Sequence, residues 1–207
     1  MQPEIDLRFD LKIIAAWIEP GSTVLDLGCG RGDLLHYLQS HKQVVARGID
    51  RHEEKVAECI GRGLSVVQGD LSHEVEDYPD GWFDYVILSQ TLQQVYEPAP
   101  LLQSLLRVGK KVVVSFPNFS HWRSRLQLLL TGHAPKTKQL PFEWYDTPNI
   151  RVITWNDFHD FVRKFGFRIV RRAAIETHHH DLVGKVVVFL PSLRATYGVI
   201  MLESANR

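Results

Sequence analysis

Asp26 stands two residues before Gly28 in the run Thr23-Val24-Leu25-Asp26-Leu27-Gly28-Cys29-Gly30-Arg31-Gly32-Asp33-Leu34. An acid near the end of an apolar, β-prone segment, followed by three glycines spaced two apart, puts a negative charge beside a chain that can turn tightly. Apolar periodicity resumes at Leu34, so the run reads as strand, glycine turn and helix start. Free N–H groups and the dipole at a helix N-terminus favour anionic or polar ligand groups. A dinucleotide site usually shows G-x-G-x-x-G. Here the pattern is G-x-G-x-G, and the acid is a poor neighbour for a pyrophosphate but a good one for a cation. S-adenosylmethionine (SAM) has a sulfonium, an ammonium and a carboxylate, and no phosphate. The residues therefore favour SAM over NAD.

Asp26 to Gly32 resembles motif I of the class I SAM-dependent methyltransferases. Further candidates lie at the ends of later strand-like segments. Gln43 to Asp50 ends in an acid 22 positions after Gly28, a spacing at which a carboxylate can accept hydrogen bonds from both ribose hydroxyls. The resemblance gives Asp50 that role, with Arg51 beside it; the alternative is a solvated loop acid. At Gly69-Asp70-Leu71 a carboxylate can accept from the adenine amino group and Leu71 can pack on the ring, although G-D is also an ordinary turn. Trp82 to Gln90 is a fourth strand, and its last residues, Ser89 and Gln90, should face the crevice where such sheets bind ligands. The resemblance assigns them the amino-acid part of SAM; a helix cap would use the same residue types. The cofactor set is Asp26, Gly28, Cys29, Gly30, Asp50, Arg51, Asp70, Leu71, Ser89 and Gln90.

These residues need a frame. Leu7 to Ile18 has one apolar helical face and stops at Pro20-Gly21. Leu34, Leu35 and Leu38 give the first crossover helix its buried stripe. Glu53 to Gly61 is a short helix, Leu64 to Gln68 a third strand, and Thr91 to Val95 opens another helix. Leu101 to Val108 is helical and Lys110 to Phe116 is a fifth strand. This alternation implies a parallel sheet with helices on both faces and right-handed crossovers. Asn156 or Thr154 could cap a helix from Asp157 to Phe165, which Gly166 ends. Phe167 to Ile175 and Tyr197 to Leu202 read as the final strands, an antiparallel pair at the sheet edge; Gly184 to Leu190 is strand-like without an assigned place. The expected architecture is α/β, a Rossmann-like class I methyltransferase fold, with a mostly parallel seven-stranded sheet and an antiparallel final strand. One domain should span 1–207, with a proline-broken loop inserted at about 132–150. Such a loop is often a lid or binding element; the alternative is that Trp144 and Tyr145 simply anchor it on the core.

Composition excludes several classes. The 207 residues carry 24 Lys plus Arg and 24 Asp plus Glu, which gives no support for a nucleic-acid surface. No apolar run reaches membrane-spanning length and the start has no signal-peptide pattern. Cys29 and Cys59 suggest no disulfide framework and fit a reducing cytoplasm. Cys29 is better explained by its place between two ligand-cradling glycines than as a nucleophile. His178-His179-His180 is expected to be a solvated loop and not a metal site, because neighbouring side chains on an extended chain diverge. No G-x-S-x-G elbow points to a hydrolase.

Phe116-Pro117-Asn118-Phe119-Ser120-His121-Trp122-Arg123, Trp144 to Ile150 and Ser89 to Val95, taken with the glycine run, resemble the MetW family of methionine biosynthesis proteins over nearly the whole chain. The region after Glu176 matches less clearly. The resemblance implies the methyltransferase fold, a role in homoserine acylation, and a homoserine O-acetyltransferase of the MetX type as partner. Two functions stay open. In the first, SAM is consumed, leaving S-adenosylhomocysteine, and Asn118, His121 or Tyr145 orients an acceptor. In the second, the protein is a SAM-responsive accessory subunit and the loop from Pro141 to Ile150 is a docking surface.

Overall fold

The structure is a computed structural model and describes residues 6–138, 140–178 and 181–204. His179 and His180, and the ends of the expected 1–207 domain, lie outside the described residues. In chain order the elements are α1 (Phe9–Trp17), β1 (Thr23–Leu27), α2 (Asp33–Lys42), β2 (Val45–Asp50), α3 (Glu53–Gly61), β3 (Val66–Gln68), α4 (Leu71–Glu74), β4 (Phe83–Ser89), α5 (Pro98–Val108), β5 (Gly109–Pro117), α6 (Trp122–Thr131), α7 (Trp155–Lys164), β6 (Phe167–Glu176), β7 (Lys185–Val186), α8 (Pro191–Arg194) and β8 (Tyr197–Ser204).

The strands form one sheet in the order β3-β2-β1-β4-β5-β8-β6-β7. Strands β1 to β5 pair in parallel, β8 runs antiparallel to both β5 and β6, and β7 runs antiparallel to β6. Successive strand side chains point to opposite faces, and the core divides accordingly. Leu25, Val86, Val112 and Val114 join Leu102 and Leu105 of α5 and Phe158 of α7 on one face. Val24, Ile87 and Val113 join Ile14 of α1 and Leu34, Leu35 and Leu38 of α2 on the other. Both faces are covered, so the central strands read as nearly unbroken apolar runs.

Four expectations need correction. The sheet has eight strands and not seven, because Lys185–Val186 adds a short edge strand within the Gly184–Leu190 stretch. The final pair is antiparallel, but β8 is threaded between β5 and β6 and is not at the edge. Thr91 opens only a 3-10 turn, Leu92–Gln94, and α5 starts afresh with Pro98, which fits the first turn of a helix because its missing N–H would go unpaired there anyway. Trp122–Thr131 is a helix in a stretch to which no element was assigned. Its N-cap is His121, an unusual capping residue, so the start signal was easily missed. Helix α7 begins at Trp155 because Thr154, not Asn156, caps it by accepting from Asp157 N at 3.1 Å.

Candidate functional site

A cavity of about 520 Å³ opens at the carboxyl ends of the parallel strands, where ligands of open α/β sheets bind. Gly28 and Gly30 form one wall. Gly28 has φ +74°, and a Cβ there would meet Thr91 Oγ1 at 2.6 Å. A side chain at this position would therefore clash as well as strain the backbone. Gly30, at φ +59°, donates its N–H to Asp50 Oδ2 at 2.8 Å. Asp50 Oδ1 accepts from His52 N at 2.9 Å. The buried Asp50 carboxylate therefore ties the glycine loop to the end of β2 while also lining the cavity.

Arg51, Asp70, Leu71, Ser89 and Gln90 line the same space. Ser89 is fixed through its hydroxyl contact with Ser115 Oγ at 3.0 Å. Gln90 sits at φ +50°, a conformation that a non-glycine residue holds only when its surroundings enforce it. The enforcement is visible. Gln90 N donates to Ser115 O at 2.9 Å, its Nε2 donates to Asp10 Oδ2 at 2.7 Å, and its carbonyl accepts from Gln93 Nε2 at 2.6 Å.

Asp10 and Arg8 were missed in the sequence. Asp10 is buried in α1 and takes a two-pronged bond from Arg8, at 3.1 and 3.0 Å. Arg8 lines the cavity, so α1 brings a cation to the end of the crevice nearest Gln90. A signal existed: Asp10 lies on the apolar face between Leu7 and Ile14, where an unpaired acid would be costly.

Asp26 and Cys29 belong to the expected set but do not line the cavity. Asp26 is buried, and its Oδ1 has no hydrogen-bond partner among the described residues. Burial raises its carboxyl pKa to about 7, with Arg8 opposing and Asp50 adding to the rise. Burial also pushes the Cys29 thiol well above its ordinary range, aided by the Asp26 charge. A thiol held protonated is a poor nucleophile.

The Asp26 carboxyl is a stability switch with a definite sign. Free carboxyls titrate near ~3.9, so the unfolded chain loses this proton first. The contribution is complete below about pH 4 and is lost as pH rises through about 7. Urea unfolding from pH 4.5 to 8 should show the protein losing on the order of a few kcal/mol relative to Asp26→Asn. Parallel curves for the two proteins would refute the assignment.

Three expected acceptor-orienting residues lie elsewhere. The structure does not bring Asn118, His121 or Tyr145 to the cavity lining. Asn118 is buried and donates to Ser192 O and Ala195 O at 2.9 and 2.8 Å, while its Oδ1 accepts from Trp155 N at 3.0 Å. His121 caps α6, accepting from Arg123 N on Nδ1 at 3.3 Å, and burial and Arg123 hold its pKa below the ordinary histidine value. Tyr145 is 71% exposed. The roof of the cavity comes from the flanks of its loop, Pro141 and Phe142 on one side, Pro148 and Asn149 on the other. The loop thus has two sides, and Trp144, 78% exposed, faces outward with Tyr145. Neither ring anchors the loop on the core.

Residues 8–202 match the family model described as methionine biosynthesis protein MetW. The chain belongs to the MetW family. A curated relative, the bifunctional methionine biosynthesis protein MetXA/MetW of Rhodopirellula baltica, is 36% identical over 168 residues, covering 77% of this chain. The match takes in only 27% of that protein, so the chain spans about a quarter of its length. Among solved structures, a SAM-dependent methyltransferase from Archaeoglobus fulgidus superposes with a TM-score of 0.70 at 18% identity, covering 94% of this chain and 91% of that one. The [4+2]-cyclase SpnF superposes with a TM-score of 0.57 at 18% identity, covering 83% and 63%. At such identities the likeness shows the MetW chain to have the Rossmann-like methyltransferase fold. One such fold serves differently described proteins, so function has to be argued from the site. No helix among the described residues is long and apolar enough to cross a membrane, and no three His, Cys, Asp or Glu side chains among them are grouped to hold a metal.

Proposed function

We propose that this MetW protein binds SAM in the crevice and acts as a SAM-responsive accessory subunit of a MetX-type homoserine O-acetyltransferase in the cytoplasm. Asp50 would accept from the ribose hydroxyls, and Asp70 and Leu71 would receive the adenine. Arg8 would meet the carboxylate of the amino-acid part near Ser89 and Gln90. The glycine turn at Gly28 and Gly30 leaves the room such a ligand needs.

The observation that carries the partner is the Rhodopirellula baltica relative, whose name joins MetXA and MetW on one chain. Tethering two modules raises their effective concentration without new contacts, and is useful where they work together. The cavity favours an accessory role over catalysis. Beyond Ser89 its wall presents the amides of Gln90, Gln93, Gln94 and Asn149, and its titratable groups there are Arg8 and the exposed Tyr96 and Glu97. No buried imidazole or carboxylate is poised as a general base in that wall among the described residues. SAM is made from methionine, so a SAM-binding subunit of an early acylating enzyme would report product level. It can do so only if SAM binds one state of the complex more tightly.

Purified protein, a MetX-type acyltransferase, homoserine and the acyl donor should be combined with and without SAM, following acylhomoserine and S-adenosylhomocysteine together. The expected result is an acyl-transfer rate that depends on this protein and shifts with SAM, while SAM stays intact. Stoichiometric S-adenosylhomocysteine would favour a methyltransferase acting on a small-molecule acceptor.

A further inference from the structure

Helix α6 is well formed yet turns its apolar side chains outward. His121 caps its start, and Gly132, at φ +67°, closes its end with Gly132 N donating to Leu128 O. Ser124 is its one buried residue. Trp122, Leu126, Leu129 and Leu130 follow one another at helical spacing and form a stripe. Leu129 and Leu130 are 80% and 72% exposed. A contiguous stripe of this size on a surface marks a binding site more often than chance exposure.

Polar contacts join α6 to the roof loop. Gln127 Oε1 accepts from Lys136 N at 3.2 Å, and Lys136 pairs with Glu143, which precedes Trp144 and Tyr145. Those two rings meet edge to face with centroids 5.7 Å apart. The charged residues of α6 itself have one sign, Arg123 and Arg125, while Glu143 and Asp146 lie in the adjoining loop. From Pro98 to Phe142 the chain has no Asp or Glu, and Arg123, Arg125 and Lys138 lie in the segment that contains α6.

Resting on the accessory-subunit reading, we infer that α6 is the docking helix for the acyltransferase, with Trp144 and Tyr145 as a second contact. The stripe enters an apolar groove on the partner as a helix-in-groove contact, and acidic side chains rim that groove to match Arg123 and Arg125. The occupant is the acyltransferase and not a second copy, because pairing α6 with its own copy would set Arg123 and Arg125 against their like. Covalent joining of MetXA to MetW in the Rhodopirellula baltica relative supplies the partner's identity. The family match, residues 8–202, includes both α6 and the loop.

The test measures binding of the full-length protein to a MetX-type acyltransferase by sedimentation and surface-based titration. Leu129→Glu and Leu130→Glu are compared with Val45→Glu, a control at another exposed apolar position. Circular dichroism and SAM titration establish that each variant is folded. Central apolar anchors are worth ~2 kcal/mol or more, about thirtyfold in affinity. Each leucine variant should weaken association at least about thirtyfold, while Val45→Glu and SAM affinity stay at the wild-type level. Wild-type binding that both leucine variants retain overturns the docking helix and leaves the accessory reading standing. No association of the wild-type protein overturns both. If the leucine variants instead abolish self-association, or sedimentation with phosphatidylglycerol vesicles, and leave acyltransferase binding intact, the stripe serves another purpose and the inference fails.

Discussion

Asp50→Ala should weaken SAM binding by at least about a hundredfold. Two hydrogen bonds from the ribose hydroxyls to a carboxylate are worth ~1.5–3 kcal/mol each, and a loss of ~3 kcal/mol is already more than a hundredfold in Kd. The effect grows because the same carboxylate holds the glycine loop through Gly30 N and keeps the end of β2 in place through His52 N. Its removal leaves two N–H groups to find other partners and loosens the wall against which the ligand packs. Asp50→Asn keeps an acceptor for the loop and should fall between the two proteins, near tenfold. Calorimetric titration of SAM into all three proteins checks the series. Equal affinities would remove Asp50 from the site.

The second large effect is on stability. Asn118→Ala should destabilise the fold by about 4 kcal/mol, since unpairing a buried polar group costs ~1–3 kcal/mol and several are unpaired at once. Asn118 ties the end of β5 to three places. Its amide donates to Ser192 O and Ala195 O around α8, and its carbonyl accepts from Trp155 N at the start of α7 and from Ser120. For a chain of this size ~1 kcal/mol moves Tm by about 2–4 °C, so the melting temperature should drop by about 10 °C. SAM affinity of the folded variant should change little, because Asn118 does not line the cavity. A variant with wild-type Tm but impaired ligand binding would return Asn118 to the role of an acceptor-orienting residue.

The contrast between Asp50 and Asn118 shows what a sequence reveals. Asp50 was legible because strand, acid and spacing from Gly28 are local features, and the sheet then carries the strand end to the crevice. The glycine turn was legible for the same reason. Asn118 sits in an equally distinctive run, Phe116 to Arg123, but its partners are 37, 74 and 77 residues away. Nothing local distinguishes a side chain that faces a ligand from one that fastens three segments. Arg8 posed the opposite problem. It precedes α1 without any motif, and only packing of α1 beside β8 and the Asp10–Gln90 bond bring it to the cavity. The threading of β8 between β5 and β6 escaped periodicity, since period-two alternation says which face a residue takes and not which neighbour a strand chooses. The apolar residues of α6 could be read as core-forming from their types alone. Their exposure is a tertiary fact, and so is the two-sided nature of the loop that roofs the crevice.

That loop links the two halves of the proposal. Pro141, Phe142, Pro148 and Asn149 look down on the ligand space, while Trp144 and Tyr145 look out. Arg151 N donates to Gln93 O at 3.0 Å, and Gln93 bonds Gln90, which bonds Asp10 beside Arg8. A ligand that draws on Arg8 or presses on the roof would therefore act on the same segment that is proposed to meet the partner. Linkage requires the effect to be reciprocal.

The most direct measurement is calorimetric titration of SAM into the folded protein, alone and with saturating acyltransferase present. Saturable one-to-one binding in both, with affinities that differ by a factor matched by SAM's effect on acyltransferase association, is the outcome expected. Absence of heat from SAM and from S-adenosylhomocysteine in both titrations, at several temperatures, would contradict the account.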